Sequence, residues 1–200
     1  QDLIPLLLSL LFAAAGLALY GYDFGHSFNH HFYLPWVLWH LDPSYYPADP
    51  VIAATSDAPT FFWHGFAVLG KIFGVRRTAF LLWFGARVAA GYATWKAARL
   101  LGAGRGGAAL ALALVLCSRH LFLASLLAGD PLFKADLDQT SFAWPLALCA
   151  VAAWLAGRRR ASAAGLGLLA NLNPLVAGLT FIWLSMGEVL LERRPTKGLA

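Results

Sequence analysis

The chain has 200 residues, of which 60% are hydrophobic, 14% aromatic and 12% charged, against a charged share of about a quarter in ordinary globular domains. Fifteen Lys and Arg outweigh ten Asp and Glu for a formal net charge of +5. The basic residues are scattered in small groups beside apolar segments, which argues against a nucleic-acid surface and, with a mean hydropathy of +0.64, predicts an all-α, polytopic membrane protein with about four to six transmembrane helices.

The first predicted element is the uncharged run Leu3 to Tyr22. As a helix of twenty residues it would rise about 30 Å, the thickness of a hydrocarbon core. It has no basic segment before it and no small-residue cleavage site before Asp23, so it reads as a retained span. A chain that opens on Gln reads as a processed product or a fragment.

Residues 23–77 are predicted to form an outer loop. Prolines at 35, 43, 47, 50 and 59 break it into short pieces, of which Leu34 to Leu41 fits a short interfacial helix with Trp36 and Trp39 at headgroup depth. Asp23, at the outer end of the first span, is the candidate catalytic base for an acceptor hydroxyl, with a solvated helix-end carboxylate as the plain alternative. His26, Asn29, His30 and His31 follow within a few residues and are candidate substrate-binding groups. His26, His30 and His31 could also share a divalent metal with Asp23 or Asp42, although no HExxH pattern is present. His64 and His120, in apolar surroundings, are possible haem ligands.

Further spans are expected at 78–95, 108–128 and 141–157, with 129–140 as a second outer loop and 161–191 as a broken or re-entrant span. Keeping 61–75 on the outer face puts Lys96, Arg99, Arg105 and Arg158 to Arg160 together on the cytoplasmic side and Asp130, Asp136 and Asp138 outside. Arg87 and Arg119 then fall at membrane depth, where a guanidinium either pairs internally or binds a phosphate through its planar fork. Asn171 to Pro174 interrupts the last stretch, as two half-helices or as one kinked span. Cys117 and Cys149 lie in apolar segments and read as packed free thiols.

Several short motifs carry a family likeness. Gly21-Tyr22-Asp23-Phe24-Gly25, Asn29-His30, Leu34-Pro35, Leu41 to Tyr45, Pro47-Ala48-Asp49, Phe142 to Ala147 and Asn173-Pro174-Leu175 resemble the opening of bacterial membrane proteins related to the GT-C glycosyltransferases. That resemblance implies transfer of a sugar from a polyprenyl-phosphate carrier at the outer face of the bacterial inner membrane, with Asp23 matching the acidic catalytic residue. It places the lipid bilayer and the polyprenyl-phosphate donor among the partners and His26, Asn29, His30, His31, Arg87 and Arg119 around the substrate. The likeness covers most of the chain, which would supply only the amino-terminal portion of such enzymes, and the paired acidic signature is missing because Phe24 follows Asp23. The alternatives are a non-catalytic integral-membrane subunit of a larger complex, with a cofactor held by histidine, and a transporter.

Overall fold

The computed structural model describes residues 3–26, 28–55, 61–121 and 135–192. These are helical, with no strand among the described residues: α1 (Ile4–Tyr20), α2 (Phe28–Leu41), a 3-10 turn at Pro43–Tyr45, α3 (Pro50–Thr55), α4 (Phe61–Phe73), α5 (Val75–Leu100), α6 (Arg105–Leu121), α7 (Gln139–Leu155), α8 (Arg159–Leu172) and α9 (Pro174–Glu192).

The expectation of four to six transmembrane helices is corrected by the helices themselves. Among the described residues, none is long and apolar enough to cross a membrane. The helices α1, α6 and α7 each have 17 residues, a rise of about 25 Å. The 26 residues of α5 include Arg76, Arg77, Arg87, Lys96 and Arg99. The integral inner-membrane location inferred from those spans is corrected on the same finding. Hydropathy registered the abundance of apolar residues but not the length of the helices that would carry them.

Helix α5 is the axis of the fold and packs against α1, α4, α6 and α7, while α8 and α9 pack on α7. The first helix approaches α5 closely at Gly91, where an added Cβ would lie 2.9 Å from a Phe12 ring carbon and 3.2 Å from Ser9 Cα. Glycine is the residue that permits this separation. Inside α1, the Ser9 hydroxyl donates to Pro5 O at 2.6 Å, so its polarity is satisfied within the interface.

Part of the aromatic content forms a core between α2, α4 and α5. Trp36 and Val37 of α2, Phe62, Trp63 and Phe66 of α4, and Trp83 of α5 are all buried there. This packing explains why α2 runs through Pro35, where the prolines predicted a break. A proline inside a helix costs about 3 kcal/mol, whereas burying Leu34, Trp36 and Val37 returns roughly 1.5 to 3 kcal/mol for each large apolar side chain. A second core joins α1, α5 and α6 through Phe12, Ala90, Trp95, Ala108 and Leu112. A third joins α7 to α8 and α9 through Ala143, Ala147, Leu169 and Val176.

The chain breaks at Asn173, whose extended backbone (φ −151°, ψ 96°) ends α8. Pro174 then opens α9, and the Asn173 side chain accepts from Val176 N–H at 3.1 Å. An Arg159–Glu188 ion pair at 2.9 Å ties the start of α8 to the far part of α9, so the two form an antiparallel hairpin.

Other large apolar side chains are not covered. Leu3, Leu6, Leu7, Leu10 and Leu11 of α1 and Phe181, Ile182, Trp183 and Met186 of α9 face outward.

Candidate functional site

The site is built where α1 gives way to α2. Helix α1 ends with Gly21 N–H on Leu17 O, and Asp23 N–H donates to Ala135 O at 2.8 Å. Gly25 takes a positive φ of 96°, a backbone state that side chains with a Cβ rarely adopt. In that state its N–H reaches His30 Nδ1 at 3.0 Å. Because Nδ1 accepts, the ring proton sits on Nε2, which donates to Leu137 O at 2.9 Å. His30 is buried and acts as a clasp between the 23–26 turn and the 135–138 segment.

His26 stands differently. Its Nδ1 lies 2.7 Å from Asp23 Oδ1, with the His26 side chain 87% and the Asp23 side chain 31% exposed. A carboxylate only accepts, so Nδ1 carries the proton in this pair, and in the neutral ring Nε2 is the position with a lone pair. This is the base-and-orienter arrangement that moves protons in many hydrolytic and transfer enzymes.

Tyr22, the residue before Asp23, lines a groove of about 420 Å³ together with Arg76, Arg77, Phe80 and Leu81. Tyr22 packs edge-on against Phe80 and tilted against Trp83. Burial pushes its hydroxyl pKa up to about 12, opposed in part by the Arg76 charge, and its buried oxygen has no hydrogen-bond partner among the described residues. Arg76 and Arg77 are exposed at the first turn of α5. The walls of the groove are almost wholly apolar, with the exposed Arg76 and Arg77 at its edge, an arrangement that accepts an apolar chain with two guanidinium groups nearby.

Arg87 is fully buried on α5 beneath the 135–138 segment. Its guanidinium lies 5.0 Å from the Trp83 ring centre and donates to Ser141 O at 3.2 Å. Burial lowers its pKa to about 10, opposed by the Asp138 and Asp136 carboxylates, so it is a cation at neutral pH. Asp138, which sequence reasoning put in a solvated acidic loop, is buried and caps α7. Its carboxylate accepts from Ser141 N–H, and Ser141 Oγ accepts from Asp138 N–H at 2.9 Å.

The structure thus brings together Asp23, His26 and His30, with Arg87 supporting the segment that holds them. His31 is exposed on α2. The side chains of Asn29 and Arg119 lie outside the described residues, as does Asp130. Among the described residues no group of three or more His, Cys, Asp and Glu is placed to share a metal ion. His40 and His64 instead form an aromatic cluster with Trp36, the two imidazoles 5.1 Å apart. Sequence reasoning missed Tyr22, Arg76 and Arg77 as a groove. The available signal is the Arg76-Arg77 pair two residues after Gly74. No known protein family, curated protein or solved structure matches this chain.

Proposed function

We propose that this protein transfers a glycosyl group from a phosphate-linked donor to an acceptor hydroxyl. The observation that carries the reading is the 2.7 Å Asp23–His26 pair together with a groove that combines Arg76 and Arg77 with the apolar surfaces of Phe80 and Leu81. A polyprenyl-phosphate carrier suits that combination, its phosphate between the guanidinium groups and its first isoprenoid units along the apolar wall.

In the transfer step, His26 Nε2 takes the proton of the acceptor hydroxyl while Asp23 holds the imidazolium that forms. The acceptor oxygen bonds to the anomeric carbon, and the bond from that carbon to the phosphate oxygen breaks. The carrier phosphate leaves with the electron pair, its charge stabilised by Arg76 and Arg77. The Gly25–His30–Leu137 clasp fixes the turn that carries the pair and makes no direct contribution to the chemistry.

The test uses a polyprenyl-phosphate sugar with the purified full chain and acceptors of several kinds. Asp23→Asn and His26→Ala should each lower transfer by about a hundredfold or more while leaving the helical circular-dichroism spectrum intact. Unchanged transfer in both variants would sink the assignment.

A second reading, a non-catalytic subunit of a larger complex, is favoured by the outward-facing Leu side chains of α1 and the aromatic residues of α9, since apolar patches of this kind mark interaction surfaces. It predicts isolation in a stoichiometric assembly and no transfer with any donor. A lone monomer at the mass of the chain counts against it.

A further inference from the structure

A basic cavity lies at the other end of the bundle from Asp23 and is independent of the glycosyl-transfer reading. The last turns of α5 and α7 and the first turn of α8 enclose about 580 Å³ lined by Lys96, Arg99, Arg158, Tyr92, Cys149 and a group of alanines. Its alanine lining is Ala93 of α5, Ala152 and Ala153 of α7, Ala156 just past the end of α7, and Ala161 of α8. Lys96, Arg99 and Arg158 are exposed at its edge.

No carboxylate neutralises these three cations among the described residues. The nearby Glu188 carboxylate is engaged by Arg159. Lys96 rests over the Tyr92 ring at 5.5 Å, and Arg99 uses one nitrogen on Ala103 O at 2.7 Å, leaving further N–H groups of the same guanidinium. Arg158, at the N-cap of α8, makes no side-chain cap bond, so the positive end of that helix dipole adds to the same field. Like charges gathered without counter-charge cost stability unless an anion joins them.

From the charge and the lining together, we infer that this cavity binds an organic phosphate, its phosphoryl group among Lys96, Arg99 and Arg158 and its apolar substituent on the alanine lining. Carboxylates are less suited, because three cations are better matched by a dianion with three equivalent oxygens. The lining selects for an attached carbon chain over a bare ion. The same chemistry could reach the protein as a soluble phosphate monoester or as a lipid headgroup.

The experiment titrates the full chain calorimetrically with octyl phosphate, with octyl glucoside as a neutral molecule of the same tail. To separate this cavity from the Arg76–Arg77 groove, K96Q/R158Q and R76Q/R77Q are titrated alongside the parent. The expected result is saturable octyl phosphate binding that survives in R76Q/R77Q, weakens at least tenfold in K96Q/R158Q, and is absent with octyl glucoside. All four positions are exposed, and equal melting temperatures show that the variants fold. Two further arms assign the source: competition by inorganic phosphate and glycerol phosphate supports a soluble monoester, and recruitment to phosphatidate vesicles without that competition supports a headgroup. Absence of octyl phosphate binding, equal binding by K96Q/R158Q, or equal binding of octyl glucoside overturns the inference. Failure of transfer in the Asp23 and His26 assays has no bearing on it.

Discussion

The guanidinium of Arg87 sits 5.0 Å from the centre of the Trp83 ring, one helical turn away on α5, and both side chains are sealed from solvent. A cation is stable at that depth because an aromatic face, the Ser141 carbonyl and the Asp138 and Asp136 charges share its field. Arg87→Ala removes the cation and leaves a void in the same step, and should cost about 3 kcal/mol or more. Arg87→Met keeps most of the volume and should cost less. Urea denaturation of the three proteins checks the order, and equal midpoints would show that neither charge nor volume matters there.

Gly91 sets how closely α1 approaches α5. Replacing glycine by alanine inside a helix ordinarily gains up to about 1 kcal/mol. Here the new methyl would meet Phe12 at 2.9 Å and the Ser9 backbone at 3.2 Å, and overpacking of this kind costs about 1 to 3 kcal/mol. The clash outweighs the propensity, so Gly91→Ala should lower the thermal midpoint. Gly85, on the same helix with nothing near its added Cβ, is the control, and Gly85→Ala should leave the midpoint unchanged or raise it.

Asp138 holds the start of α7 by accepting from Ser141 N–H. Asp138→Ala should destabilise the protein by more than the about 1 to 2 kcal/mol usual for a lost N-cap, because the buried Arg87 cation also loses a counter-charge. Asp138→Asn, which retains an acceptor, should recover part of that loss. Chemical denaturation followed by far-ultraviolet circular dichroism measures both.

His40 gives the fold a pH dependence. Its imidazole stacks on Trp36 at 4.1 Å, with Trp39 and His64 also against it. Burial first, and His64 second, lower its pKa below the ordinary value. The unfolded chain, titrating near about 6.5, therefore binds the proton more readily than the folded one. The associated stability is present above that pH and is lost as the pH falls through the folded value. The melting temperature of the parent should drop as the pH falls below about 6.5, and the drop should shrink in His64→Gln, where the second cause is gone. Identical pH profiles for the two proteins would exclude the imidazole pair as the origin.

Helix content was legible in the sequence, because uncharged stretches bounded by Gly21, Gly74 and the Asn173–Pro174 break mark element ends by local chemistry alone. Membrane crossing was not a safe extension of that reading. The aromatic residues of α2 and α4, read as an interfacial belt, pack on one another around Trp83. Asp23 and His26 are three residues apart, so their pairing lies within reach of local reasoning. His30 is the opposite case. Its partner at Leu137 is 107 residues away along the chain, and no periodicity or spacing announces a contact with a backbone carbonyl. Arg76 and Arg77 were visible as charges, but their place beside Tyr22 depends on how α1 docks against α5.

That long-range contact also sets when the site can come into being. The backbone of Asp23 leans on Ala135, and the ring of His30 on Leu137, so a nascent chain that has made only its first hundred residues has helices but no fixed turn at 23–26. Closing so large a loop carries an entropic cost that is recovered only when the later helices dock. The turn that carries Asp23 and His26 therefore gains its long-range anchors only when the 135–138 segment has docked, and a chain stalled before that segment would carry both residues without them.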